Sequence, residues 1–272
     1  MKTRRELKTR ARAAMGAQRT TAVLILLVMA LKVLALGVFN DLAVGRLSYY
    51  PLFVINLLVV LALVALMVNV MGEYLKIYRS EPTHVMALYP EFMTRLGHKL
   101  GGVMWMVLWV FIWALISVPV ILLAVYLLKS TGRGMRLLAL VLIGPVHLLA
   151  LIPAIVKGLS YAMTPFILAD QADIPARGAL KRSMAMMTGH KKALFWLALS
   201  FIGWFVLSVL TLGILYVVYV GPYYQITLAG FYEELRVKAG KVTAVETQAE
   251  LDALDAIDGG KVAIAVEEVE VG

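Results

Sequence analysis

The chain has no cysteine, which removes disulfides, thiolate metal sites and a cysteine nucleophile and leaves the redox compartment open. Charge is scarce too, at 16% Asp, Glu, Lys and Arg over 272 residues. The four histidines, His84, His98, His147 and His190, are scattered without metal-ligand spacing, so neither a metal nor a cofactor is expected. No HExxH, Gly-x-Ser-x-Gly or phosphate-cradling glycine loop occurs, and Gly132-Arg133-Gly134 reads as a turn. Carboxylates are few near the apolar runs, which argues against a carboxylate-rich site. Together these absences predict a protein that is not an enzyme.

What the chain has is apolar length. Hydrophobic residues make up 61% of it and the mean hydropathy is +0.85, more apolar surface than a soluble core of this size needs. From Thr21 to Leu235 the sequence repeatedly runs apolar for about 18 to 25 residues, the length with which a helix crosses about 30 Å of hydrocarbon. A chain in that medium must bond every backbone N–H and C=O internally, as helices do. The pattern predicts an all-α, polytopic membrane bundle of about six transmembrane helices with amphipathic interfacial helices beside them. A basic segment, 1–20, precedes the transmembrane domain, 21–235, and an acidic tail, 236–272, follows it. The spans fall at about 21–39, 52–70, 103–128, 137–156 (open to extension as far as Leu168), 193–212 and 214–231. Only Thr211-Leu212-Gly213 separates the last two, so a tight turn is needed there. The first run is too long for a signal-peptide core and is read as a retained span.

Lysine and arginine collect in alternate connections: seven between Lys2 and Arg19, then Lys76, Arg79, Arg95 and Lys99, then Lys157, Arg177, Lys181, Arg182, Lys191 and Lys192. The positive-inside rule then predicts that both termini face the cytoplasm, against a minority of Arg46, Lys129, Arg133 and Arg136. The net charge of +9 is interleaved with apolar spans, so its expected partners are the bilayer and anionic headgroups on the cytoplasmic side, with no nucleic acid. A membrane-protein partner is the other expected contact. The connection 72–101 alternates apolar and charged residues and reads as interfacial pieces. Residues 173–190 read as an in-plane helix, with Asp173 as N-cap and Leu180, Met184 and Met187 on one face. The tail, with its Asp258-Gly259-Gly260 turn, reads as a mobile appendage.

From Tyr161 the chain reads Tyr161-x-x-x-Pro165-x-x-Leu168-x-Asp170, then Ala179-Leu180-x-x-Ser183-x-x-x-Met187-x-Gly189-His190-Lys191. Leu199-Ser200-Phe201-Ile202-Gly203-Trp204, Gly213, Pro222-Tyr223 and Phe231-Tyr232-x-x-Leu235 follow, and Arg4-Arg5-Glu6-Leu7-Lys8-x-x-Ala11-Arg12 opens the chain. The combination resembles the bacterial integral-membrane family catalogued as domain of unknown function nine-seven-five, up to about Arg236. It is more distantly similar to the membrane domain fused to some glycerophosphodiester phosphodiesterases. The resemblance implies a multi-pass protein of the bacterial cytoplasmic membrane and assigns no activity to any residue.

Polar groups at depth supply the candidate residues. Lys32 lies inside the first span, where an ammonium costs about 2.5 to 3.5 kcal/mol on insertion scales, so it should snorkel outward or face a partner. His147 sits beside Pro145, and Asp170 adjoins the basic in-plane helix as an ion pair, a cap or a relay. Ser183, Lys191, Trp204 and Tyr223 complete the set, and packing accounts for Trp204 and Tyr223 adequately. The favoured function is a noncatalytic membrane scaffold or an accessory or immunity-type component; the alternative is a small permease or lipid-handling transporter. A reporter fused after Gly272 is predicted to be active only in its cytoplasm-dependent form; activity on the outer side would reverse the orientation.

Overall fold

The computed structural model describes residues 2–44, 46–89, 96–129, 132–171 and 173–240. Most of the described residues are helical, and no strand occurs among them beyond one isolated bridge, Val44 to Leu47. Helix α1 is Arg4–Ala17, α2 Arg19–Ala43, α3 Tyr49–Arg79, α4 Leu96–Ala114, α5 Val118–Lys129, α6 Arg133–Tyr161, α7 Thr164–Asp170, α8 Ala176–Met187, α9 Lys191–Leu199 and α10 Ile202–Leu210. A π-helical turn, Tyr216–Val220, leads into a helix over residues 221–240. Among the described residues, five stretches are long and apolar enough to cross a membrane: Arg19–Ala43, Tyr49–Arg79, Leu96–Lys129, Pro145–Asp170 and Lys191–Leu210. The stretch 214–231 is helical but is not among the five.

The chain divides into two compact units. One is Lys2–Tyr232; the other is Met1 with Glu233–Gly272, in which residues 233–240 are helical and Arg236 Nη2 lies 2.6 Å from Glu233 Oε1. The acidic tail from 241 onward, with its turn and short alternating run, lies outside the described residues, as does the 90–95 part of the second connection.

Capping explains where α1 begins, and proline explains three of the breaks in the larger unit, although Pro145 and Pro153 lie inside α6 without ending it. Thr3 and Glu6 form a reciprocal capping box on α1, whose Leu7, Ala11 and Met15 make a buried stripe at i, i+4, i+8. Proline lacks an N–H, and its ring collides with the carbonyl four residues earlier. Pro119 opposes Leu115, where Leu115–Ser117 tightens into a 3₁₀ turn; Pro165 opposes Tyr161, the last residue of α6; Pro222 opposes Val218, inside the π turn. The extension of the fourth span to Leu168 is therefore two helices, α6 and α7, with a break at Ala162 and Met163. Ser183 of α8 closes that break: its hydroxyl accepts from Met163 N at 3.2 Å and donates to the Ser160 carbonyl at 2.9 Å.

Three expectations change. Residues 72–79 continue α3 and bury Glu73, Tyr74, Leu75, Ile77 and Tyr78, because bundle packing and not the interface receives their apolar face. Pro175, not Asp173, is the N-cap of α8, and no side chain caps it. Arg133 and Gly134 open α6, with Gly132 as its N-cap, instead of turning.

Helices α2 and α3 run antiparallel. Tyr74 donates to the Ala22 carbonyl at 3.0 Å near one end, and Asn40 and Asn56 exchange amide hydrogen bonds of 2.9 and 2.7 Å near the other. Each Asn also donates to its own i−4 carbonyl, Leu36 or Leu52, so neither amide is left unsatisfied at depth. After α3 the chain turns back: buried Asn69 donates to the Leu88 carbonyl at 3.0 Å, ten residues before the end of α3. Elsewhere α4 packs on α6 and α8, and α3 on α7.

Gly230 lies against Tyr78 so closely that a Cβ would overlap the phenol ring. Replacing Gly230 with Ala is predicted to destabilise the fold by about 1 to 3 kcal/mol, the range for overpacking a close contact, as a lower thermal midpoint in mild detergent; an unchanged midpoint would show that this packing does not form.

Candidate functional site

Three polar constellations stand out. The first is the Asp170 node at the basic end of the bundle. Arg79 Nη1 donates to Oδ1 at 2.8 Å and the Tyr232 hydroxyl to Oδ2 at 2.8 Å, while the Tyr232 ring stacks on Phe166 at 5.7 Å. One carboxylate thus ties α3, α7 and the last helix of the unit together. Glu73, 1% exposed, sits in the same region between Lys76 Nζ at 2.8 Å and the Thr83 hydroxyl. These arrangements satisfy buried charge, which is their structural use.

The second is an apolar cavity of about 490 Å³ between α2 and α3, lined by Lys32, Phe39, Ile55, Ala62, Leu66 and Tyr89 among others. Lys32 Nζ lies 5.1 Å from the centroid of Tyr89, which the returning segment brings beside it. The ammonium therefore faces an aromatic partner rather than snorkelling outward.

The third is a groove of about 400 Å³ formed by α4, α6 and α8. Trp105, Trp109 and Trp113 line it at i, i+4, i+8, a ladder about 12 Å long at 1.5 Å per residue. Trp105 and Trp109 meet edge to face at 6.0 Å. Arg177 lies 4.7 Å over Trp105 and Lys157 4.7 Å over Trp113, with Lys181 also on the wall. No carboxylate is among the described lining residues, and Trp113 Nε1 is buried with no hydrogen-bond partner among them. The groove thus combines an apolar floor, three cations and one idle donor.

The seven candidates from the sequence do not converge. Lys32 lines the apolar cavity; Asp170 and Ser183 hold helices together. His147 is half-buried on α6, its Nδ1 without a hydrogen-bond partner among the described residues. Lys191 opens α9; Trp204 packs against Tyr219 at 5.4 Å, and Tyr223 lines a separate basic cavity beside α1. Sequence reasoning passed over the tryptophan groove, although the four-residue spacing of Trp105, Trp109 and Trp113 was there to be read. The pairing of that ladder with Lys157 and Arg177 depends on how α4, α6 and α8 pack.

These features define a class: a helical bundle with membrane-length apolar helices and cationic, aromatic recesses. Within it, residues 1–239 match the family described as Protein of unknown function (DUF975), and the chain belongs to that family. No curated protein and no solved structure matches it.

Replacing Asp170 with Asn would leave the Arg79 guanidinium facing a neutral amide. The loss is predicted at about 3 kcal/mol, toward the lower end for a broken buried pair because Arg79 keeps some solvent contact, read as a lower thermal midpoint. Unaltered stability would show that the node is incidental.

Proposed function

We propose that the chain is a noncatalytic, multi-pass protein of the bacterial cytoplasmic membrane, with both termini cytoplasmic, that binds an anionic amphiphile in the tryptophan groove. The observation that carries this reading is the ladder of Trp105, Trp109 and Trp113 with a cation over its first and last rings. An acyl chain suits an aromatic wall, and an anionic head suits Arg177, Lys181 and Lys157 where the lining offers no counter-carboxylate. The alternate clustering of Lys and Arg supports the orientation, and the resemblance to a bacterial membrane family supports the location. The missing catalytic signatures support a binding role. Scaffold, accessory and immunity-type readings need a protein partner, for which no feature of the described residues selects a chemistry. The groove therefore favours the lipid-handling reading over them.

The test uses tryptophan fluorescence in full-length protein carrying Trp196→Phe and Trp204→Phe, so that only the ladder reports. Brominated phosphatidylglycerol is expected to quench at lower concentration than brominated phosphatidylcholine. Lys157→Gln, Arg177→Gln and Lys181→Gln together are expected to weaken that quenching about tenfold, or about 1.4 kcal/mol. Equal quenching by both lipids, or an unaffected variant, would contradict the reading.

A further inference from the structure

Residues 193–232, forty in a row, contain no Asp, Glu, Lys, Arg or His. They do not form a straight span: α9 ends at Leu199, and α10 starts afresh at Ile202. The break is pinned to α1. Lys8 Nζ donates to the Ser200 carbonyl at 3.1 Å and sits 4.1 Å from the Phe201 centroid, and Arg12 lies 5.5 Å over Tyr223. Phe201 in turn meets Tyr223 and Tyr224 at 5.1 and 5.2 Å. Because α1 also exposes Arg4, Arg5 and Arg10, it belongs at a membrane surface and holds Ser200, Phe201 and Tyr223 there with it.

From Phe201 to Leu212 is eleven residues, about 16 Å of helix, against about 30 Å of hydrocarbon. The chain then reverses. Leu212 and Gly213 take left-handed φ of 51° and 83°, and the return limb packs against α2, where Gly221 lets Leu26 approach within the space a Cβ would fill. The tip is built for a medium without water. Every N–H from Thr211 to Leu215 is bonded internally: to Leu207 O at 3.1 Å, Val209 O at 3.0 Å, Ser208 O at 2.8 Å, Thr211 O at 3.1 Å and Thr211 Oγ1 at 3.3 Å. Its outward side chains are apolar, with Leu212 92% exposed and Val209 75%.

At the base of this hairpin lies a cavity of about 310 Å³ lined by Arg5, Lys8, Thr9, Arg12 and Tyr223. No carboxylate is among its described lining residues; Glu6 is turned to the N-cap, accepting from Thr3 N at 2.8 Å. Burial, then the neighbouring Arg4 and Arg12, hold the Lys8 pKa below its ordinary value.

We propose that residues 202–220 are a re-entrant wedge confined to one leaflet, and that the cavity at its base takes the phosphate of an anionic phospholipid of that leaflet. The wedge enters and leaves on the face that carries α1. The other four long apolar stretches then cross, an even number, in keeping with termini on one side. The lipid neutralises the base while its acyl chains lie against the exposed hairpin. This site is separate from the tryptophan groove.

The absence of native cysteine makes the test direct. A single Leu212→Cys in the full-length protein in sealed vesicles is treated with impermeant maleimide from each side, with Thr9→Cys and Leu47→Cys marking the two faces. No labelling from either side is expected; labelling from the Leu47 face would make the hairpin a full crossing, labelling from the Thr9 face would place its tip in water, and either overturns the wedge. Native mass spectrometry in phosphatidylglycerol or phosphatidylcholine nanodiscs tests the base. Phosphatidylglycerol is expected to be retained preferentially, and Arg5→Gln with Arg12→Gln to lower its retention at least about fivefold, with rescue by the corresponding Lys variants. Equal retention of both lipids, an unaffected Gln variant, failure of Lys to rescue, or displacement by millimolar inorganic phosphate would overturn the headgroup site.

Discussion

The segregation of charge from a chain that must live in hydrocarbon is the constraint on which the rest depends. Forty consecutive uncharged residues, five membrane-length apolar helices and only a handful of ionisable groups between their ends leave little freedom in how the bundle is immersed. Several polar side chains at depth take partners from within the fold. Asn40 and Asn56 satisfy each other, Asn69 takes the Leu88 carbonyl, and Lys32 rests over Tyr89. Each partner comes from another segment, so each such pair also fixes how two segments align.

The basic end is held by a denser set of interactions. Asp170 joins α3, α7 and the last helix of the larger unit, and Ser183 repairs the break that Pro165 imposes between α6 and α7. Proline placement therefore has a structural consequence: by ending α6 at Tyr161 it leaves room for α8 to lie across α4 and α6, and that crossing builds the tryptophan groove. Neither Asp170 nor Ser183 needs to touch a ligand to matter for the groove. They position the helices whose side chains line it.

The helical class and the long apolar stretches were legible in the sequence because hydropathy over a span is a local property, and the family was legible from the spaced residues between Tyr161 and Leu235 and the opening Arg4 to Arg12. The turn at Leu212 and Gly213 was readable for the same reason, since only a short break interrupts the apolar run. The fate of 72–79 was not. Its alternation of charged and apolar residues fits an interfacial helix and a buried helix end equally well, and only the packing of Tyr74 and Tyr78 decides. The sites were legible in part. Lys32 and Asp170 drew notice because charge near hydrocarbon is costly, whereas Trp105, Arg177 and Lys157 look ordinary until three helices bring them together.

The exposed apolar faces of the long helices require lipid as their solvent. The most direct measurement is electron paramagnetic resonance accessibility of spin labels placed singly at Leu34, Leu58 and Phe111, which are 62%, 61% and 58% exposed, in reconstituted bilayers. All three labels are predicted to collide readily with molecular oxygen, which concentrates in acyl chains, and poorly with a water-soluble nickel complex. Labels that favour the nickel complex would show these faces bathed in water, and the account would fail.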